Sequence, residues 1–305
     1  MQNTLPFKCG YAAIVGRPNA GKSTLVNRLV GEKVSIVTPT PQTTRNRILG
    51  IVHRPQAQLV LMDTPGIHKP LSSMNRQMMA FVRTALAERD LSLLVVDAAE
   101  KFGAGDQYAI DLLKRYAPRT ILALNKVDLM RKPRLLPLID RYSKIHTFEE
   151  IFPISAATGE GVEDLLQALL ARLPEGPPLF PEDFYTDQPQ RFLASEIIRE
   201  KVILATRQEL PYATAVLIEG FEETETLTTI HAVILVEKPT QKGIVIGADG
   251  SRIKQIGTEA RRELERLLPP KVYLELYVKV EPDWRDNRRM LSQLDYREEV
   301  GHSEE

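Results

Sequence analysis

Residues 1–175 predict an α/β domain with a mainly parallel sheet, and residues 190–282 predict a smaller α+β domain. Three observations carry this. Short, near-continuous apolar runs recur at 12–15, 48–52, 59–62, 91–96, 121–124 and 151–154. Helix-permissive stretches near 73–87, 106–115, 134–142 and 161–172 separate most of them, and strands that are apolar throughout need such cover on both faces. Proline-rich residues 176–189 then interrupt the pattern, and the apolar residues of the last strand beyond them fall at period two.

A chain of 305 residues fits two domains by length. Forty Lys and Arg balance forty Asp and Glu, so no global field draws the chain to nucleic acid. The balance is uneven, with 23 basic against 16 acidic residues in 1–175 and 17 against 24 in 176–305. A nucleic-acid site in the second half must therefore be local. Cys9, the single cysteine, permits no internal disulfide and no cysteine metal cluster, which fits a reducing compartment. No apolar run reaches the roughly 20 residues that span a bilayer, and the N-terminus lacks a signal-peptide pattern. The expected location is the cytoplasm.

The first strand runs into Gly16-Arg17-Pro18-Asn19-Ala20-Gly21-Lys22-Ser23, followed by Thr24 and a helix-permissive run. A strand, a glycine-rich turn and a helix start in this order make a phosphate-binding loop. Its backbone amides surround an anion, Lys22 reaches the outer phosphates, and Ser23 offers a hydroxyl to Mg²⁺. Asp63-Thr64-Pro65-Gly66 closes the strand at 59–62. An Asp there can hold Mg²⁺ through its water shell, and the Gly66 amide can sense a third phosphate. Asn125-Lys126-Val127-Asp128 closes the strand at 120–124. Asp128 presents two acceptor oxygens to the adjacent ring N–H and amine of guanine, a donor pair that adenine lacks. Asn125 can brace the loop and meet the base edge, and the Lys126 stem can lie over the purine. Ser155-Ala156-Ala157 closes the next strand, where a backbone amide can meet the guanine carbonyl.

Four such elements in order, each at a strand end, resemble a P-loop GTPase. The resemblance assigns residues 16–24 to phosphate and Mg²⁺, residues 63–66 to the second switch, and Asn125, Lys126, Asp128 and residues 155–157 to guanine. The first switch is expected in Thr38-Pro39-Thr40-Pro41-Gln42-Thr43-Thr44-Arg45, a stretch that can order around GTP. One threonine there should join Ser23 and Asp63 at Mg²⁺, with Thr44 preferred and Thr43 close behind. Ile67 stands where Ras-like GTPases carry a water-orienting Gln. It cannot activate water, so turnover is expected to be slow, with Asn19, Lys22 and Thr44 as the catalytic candidates. Asn at the position of Asn19 ligates K⁺ in related GTPases, and such a cation can offset developing charge.

In the second domain the expected order is a helix over 195–207, strands at 214–219 and 229–236, a helical turn with a loop, a helix from Ser251, and a strand at 272–280. Gly247-Ala248-Asp249-Gly250 lies between Ile244-Val245-Ile246 and Ser251-Arg252-Ile253-Lys254. This resembles a bacterial-type KH domain, whose GXXG loop clamps the backbone of about four single-stranded nucleotides. The resemblance implies an RNA site of Lys242, Ile244, Ile246, Gly247, Ala248, Asp249, Gly250, Ser251, Arg252, Ile253 and Lys254. The tail, 283–305, carries Trp284, Arg285, Arg288 and Arg289, then Leu291, Leu294 and Tyr296. It reads as a solvated terminal helix, with a short helix that docks apolar residues on the second domain while its arginines face RNA as the alternative.

Together the two domains, with Ile67 and the Pro-Gln-Thr-Thr-Arg switch, resemble the Era family of GTPases. The resemblance implies GTP and GDP binding, Mg²⁺, single-stranded RNA near the 3′ end of small-subunit ribosomal RNA, and assistance to small ribosomal subunit assembly. It further implies a monomer with peripheral contact at the inner face of the cell membrane. The competing expectation is a GTP-dependent regulator of a protein partner, with the KH-like unit as a docking module.

Overall fold

A computed structural model of the chain describes residues 6–41, 43–68, 72–206, 210–268 and 271–294. Gln42 of the expected first switch, the end of the helix expected at 195–207, and Tyr296 onward lie outside the described residues. The chain divides into two compact units, one of Met1–Leu71 and Asn75–Asp187, the other of Ser72–Met74 and Gln188–Glu305.

The first unit holds a six-stranded sheet in the order β2-β3-β1-β4-β5-β6. Its strands are β1 (Lys8–Val15), β2 (Ile48–Arg54), β3 (Ala57–Asp63), β4 (Leu91–Asp97), β5 (Ile121–Asn125) and β6 (Ile151–Pro153). All neighbours pair in parallel except β2 with β3. The helices α1 (Lys22–Val30), α2 (Ser73–Glu88), α3 (Ala104–Tyr116), α4 (Leu135–Ile145) and α5 (Val162–Ala171) follow the expected stretches. Ile14, Leu61, Leu93 and Leu122 are fully buried, as central strands covered on both faces require. Asp63, Asp97 and Asn125 are the last residues of their strands. The carboxyl ends of β3, β4 and β5 therefore present polar groups along one rim, where open α/β sheets bind ligands.

Residues 176–187 differ from the expected linker, because they lie along the edge strand β2. Ile51 N donates to Tyr185 O at 2.9 Å, and Leu49 N donates to Asp187 Oδ1 at 3.2 Å. Gln58 adds a side-chain clamp: its Oε1 accepts from Leu179 N and Phe180 N at 2.7 and 3.0 Å. An edge strand leaves a row of backbone groups unpaired. A proline-rich segment that cannot form a helix satisfies some of them without adding a new exposed strand.

The second unit has a three-stranded sheet, β7 (Ala215–Glu223), β8 (Thr228–Val236) and β9 (Val272–Val280), with β7 and β8 antiparallel and β8 and β9 parallel. The helices α6 (Gln190–Ala205), α7 (Leu210–Ala213), α8 (Pro239–Ile246) and α9 (Ser251–Leu264) complete it. Ile256, Ala260 and Leu264 on α9 and Ile198 and Val202 on α6 are buried at helical spacing. The tail begins as a docked segment rather than as a solvated helix. Trp284 is fully buried and its indole N–H donates to Ala213 O at 3.0 Å. Arg285 makes a two-bond pair with Glu237 at 2.7 and 2.6 Å. The second unit thus extends past residue 282, and α10 (Arg288–Gln293) follows with Arg288 and Arg289 exposed. Among the described residues no helix is long and apolar enough to cross a membrane.

Candidate nucleotide site and nucleic-acid interface

The loop after β1 surrounds a cavity of about 380 Å³. Pro18, Asn19, Gly21, Lys22, Ser23 and Thr24 line it, together with Thr43, Thr44, Gly66 and Lys126. Gly21 has φ +91°, and a Cβ there would sit 2.2 Å from Asn125 Nδ2, so only glycine lets this turn close. Ile36, Val37, Thr38 and Pro39 also line the cavity. Sequence reading missed Ile36 and Val37, because two apolar residues outside any periodic run carry no local signal.

Lys22 is 6% exposed, and its ammonium donates to Gly16 O and Arg17 O at 3.3 and 3.1 Å. Burial pushes its pKa down to about 8, against the opposing pull of Asp63. Asp63 is fully buried, and neither carboxylate oxygen completes a hydrogen bond. Burial raises its pKa, while the Lys22 charge and then the Ser23 and Ser35 hydroxyls oppose the rise. Ser23 Oγ lies 2.9 Å from Thr44 Oγ1. Thr43 turns elsewhere: its hydroxyl is 2.6 Å from Thr38 Oγ1 and donates to Thr40 O at 2.7 Å. Of the two threonines, Thr44 is thus the one beside Ser23. The hydroxyl pair and the orphaned carboxylate are a hard-oxygen donor set of the kind Mg²⁺ takes.

Several residues are placed differently from their sequence-based roles. The Arg17 guanidinium pairs with Asp106 Oδ2 at 2.8 Å, tying the loop to the start of α3. Thr64 is buried and donates to Ile14 O at 2.7 Å. Ile67 is 1% exposed in the core with Val15, Val60 and Met79, while its N–H donates to Gly16 O at 2.9 Å. Its side chain is a core anchor for the second switch. Asn19, at φ +62°, donates through Nδ2 to Pro39 O at 2.8 Å, joining the phosphate loop to the first switch.

Asn125 braces with both ends of its amide. Nδ2 donates to Ala20 O, and Oδ1 accepts from Ala156 N, each at 2.8 Å. Lys126, at φ +67°, donates to Asp97 Oδ2 at 2.6 Å. Asp97 was legible as an acidic residue closing an apolar strand, just as Asp63 does, but it lacked a recognisable motif. Asp128 is exposed in the short 3₁₀ turn Val127–Leu129. Ser155 and Ala156 are buried behind this rim. Asn27, also missed, accepts from Val34 N and Ser35 N at 3.0 and 2.9 Å and fixes the chain leading to the first switch.

In the second unit, α8 and α9 meet at Gly247-Ala248-Asp249-Gly250. Gly247 has φ +75°, and a Cβ there would lie 2.7 Å from Arg252 Cβ; Gly250 has φ +74° with open space around it. Val245 is buried, Ile244 is 45% exposed, and Asp249 is exposed. Lys242 Nζ sits 5.1 Å from the Tyr277 ring centroid. Arg252 reaches back to Ile244 O. A cavity of about 450 Å³ lies between α9 and β9, lined by Ile253, Lys254, Gly257, Thr258, Arg261 and residues 272–276. Ile253 and Lys254 are therefore at this groove, whereas Ile244 and Ile246 do not line it. The exposed Tyr273 and Tyr277 were missed because the period-two reading of β9 followed its apolar face.

The description "50S ribosome-binding GTPase" belongs to the family model that matches residues 11–126, and a KH domain model matches residues 209–285. The GTPase Era of Syntrophus aciditrophicus is 48% identical over 297 residues, 97% of each chain. That of Geobacter metallireducens is 50% identical over 293 residues, covering 95% of this chain and 98% of the relative. Among solved structures, Era in complex with MgGDPNP and nucleotides 1506–1542 of 16S ribosomal RNA superposes with a TM-score of 0.91 at 42% identity. An Aquifex aeolicus Era variant bound to GDP and AlF4⁻ gives 0.89 at 41% identity. Each comparison spans 95% of this chain and 99% of the other. Two domains in the same order, matched over nearly their full length, show that the chain belongs to the Era family of GTPases.

Proposed function

We propose that the protein is a Mg²⁺-dependent GTPase switch that binds the single-stranded 3′ end of small-subunit ribosomal RNA and assists assembly of that subunit. One observation carries the nucleotide half. A single cavity is lined by Lys22 and Ser23 at one part and Lys126 at another, so phosphates and purine have separate places in it. Ser23 and Thr44 would hold Mg²⁺ directly, and Asp63 through water. The ion would neutralise charge on the outer phosphates. Lys22 supplies a second positive charge from a buried position, and the amide of Gly66, which lines the same cavity, would meet the third phosphate. The Era complex with MgGDPNP and ribosomal RNA supports the same assignment, as does the GXXG loop beside a groove.

Guanine selection rests on the Asp128 carboxylate. Competition titration should show GTP and GDP binding without ATP. Asp128→Asn removes one charged acceptor worth roughly 1.5–3 kcal/mol, so GTP should weaken about tenfold or more and xanthine nucleotides should gain. Equal native affinity for ATP and GTP would rule the reading out.

Hydrolysis is assigned to backbone groups and cations, because Ile67 is spent on the core. Asn19 joins the phosphate loop to the Pro39 carbonyl, where its remaining amide oxygen could ligate K⁺. Replacing K⁺ by Na⁺ should slow phosphate release in the native protein but not in Asn19→Ala. Identical native rates in the two salts would reject the K⁺ site. Cytoplasmic location, which the single cysteine and the lack of a bilayer-spanning apolar run favour, belongs to the same reading, as do the monomeric state and peripheral membrane contact that the family resemblance implies. Cell fractionation tests the first, and sedimentation with and without anionic vesicles tests the other two.

A further inference from the structure

Arg28 sits in the last turn of α1, away from the phosphate loop. Its Nε donates to Ala156 O at 2.6 Å, and its Nη2 donates to Ala157 O at 2.5 Å. The planar guanidinium fork thus holds two successive carbonyls. Gly159, at φ +96°, brings the loop close: a Cβ there would lie 3.1 Å from Arg28 Nη1.

The remaining amides of this loop are accounted for. Ala156 N donates to Asn125 Oδ1, Thr158 N to Ser155 Oγ, and Gly159 N to Ser155 O. Ser155 N donates to Glu160 O, and Glu160 N to Thr158 Oγ1. Among the described residues, the Ala157 N–H is the loop amide left without a partner. A carbonyl held on each side of that amide fixes its direction. The helix that starts with Lys22 and Ser23 therefore reaches the guanine loop through Arg28.

We infer that Arg28 is a positioning residue for base selection: it holds the 155–157 loop so that the Ala157 N–H meets the guanine 6-carbonyl. This rests on the guanine reading above. The 6-carbonyl and the 2-amine can be read separately with GDP, 6-thio-GDP and IDP. A thiocarbonyl is a weaker acceptor, and hypoxanthine lacks the amine read by Asp128.

In the full-length chain, Arg28→Ala should weaken GDP between about threefold and tenfold. It should weaken 6-thio-GDP less, so the preference for GDP over 6-thio-GDP shrinks. The preference for GDP over IDP should stay at the native value. Arg28→Lys, with a charge but no fork, should fall between native and Arg28→Ala. It carries the test alone should Arg28→Ala not fold. Equal loss of GDP and 6-thio-GDP in these variants, or no loss, would overturn the inference. Failure of the underlying reading is separate, since it would appear as native protein that does not prefer GDP over ADP.

Discussion

Lys22→Met is expected to weaken GTP by about 100-fold or more while leaving a cooperative melt near the native one. The lysine is nearly buried, and its ammonium meets only two backbone carbonyls and the buried charge of Asp63. Charge-assisted bonds to phosphate in such a site are strong, and losing them costs about 3 kcal/mol or more. The lowered pKa shows that the folded protein holds this charge against its preference for water. Methionine keeps most of the volume and removes that cost, but it also removes the group that opposes the rise at Asp63. The two effects have opposite sign, so stability changes little near neutral pH.

The pH dependence gives the sign. Between about 8 and the ordinary lysine value of 10.5, the unfolded chain keeps the Lys22 proton and the folded chain has lost it. Stability from this group therefore rises with pH across that window. The native melting temperature should rise relative to Lys22→Met from pH 8 to 10.5, in nucleotide-free protein. A variant that unfolds yet keeps GTP affinity in its folded fraction would contradict the role. So would a temperature difference that is flat across the window.

The double variant Ala248→Asp with Gly250→Asp should lower single-stranded RNA affinity by more than tenfold and leave GTP affinity unchanged. Gly247 is committed to the fold, because a Cβ would strike Arg252. Gly250 is different: its Cβ direction is open, so a side chain there occupies space that an RNA backbone would use. Its φ of +74° makes the substitution strained, at about 1–2 kcal/mol. Ala248→Asp alone therefore belongs in the set, because it adds a charge without that strain. Two added negative charges oppose phosphates near Lys242 and Lys254. Removing either lysine should instead lower affinity similarly across sequences and flatten the salt dependence. Filter binding at several salt concentrations reads both effects. Unchanged RNA affinity in a folded double variant would remove the loop from the interface.

Much of this arrangement was legible because it is written locally. Strand ends are visible where an apolar run stops at Asp63 or Asn125, and the phosphate loop has its own spacing. The parts that escaped depend on partners distant in sequence. Arg17 with Asp106 and Arg28 with Ala156 are each joined across more than 80 residues, and no periodicity marks them. Residues 176–187 looked like a linker because prolines forbid a helix there; their packing depends on the edge of β2 and on one glutamine side chain. Trp284 likewise had no pattern around it to show that its ring is buried. Ile67 was legible as a missing glutamine, but its position in the core required the fold.

The central claim is that one chain couples a guanine-nucleotide site to single-stranded ribosomal RNA. The direct measurement is anisotropy titration of the full-length, GTP-loaded protein with labelled RNA from the 3′ end of small-subunit ribosomal RNA. A duplex of the same sequence is the control. Tight, salt-dependent binding of the single strand and poor binding of the duplex are expected, since paired and stacked bases are unavailable to a KH groove. Folded, GTP-bound protein that ignores both this RNA and a broad pool of single strands would contradict the claim and leave the second unit as a protein-docking module.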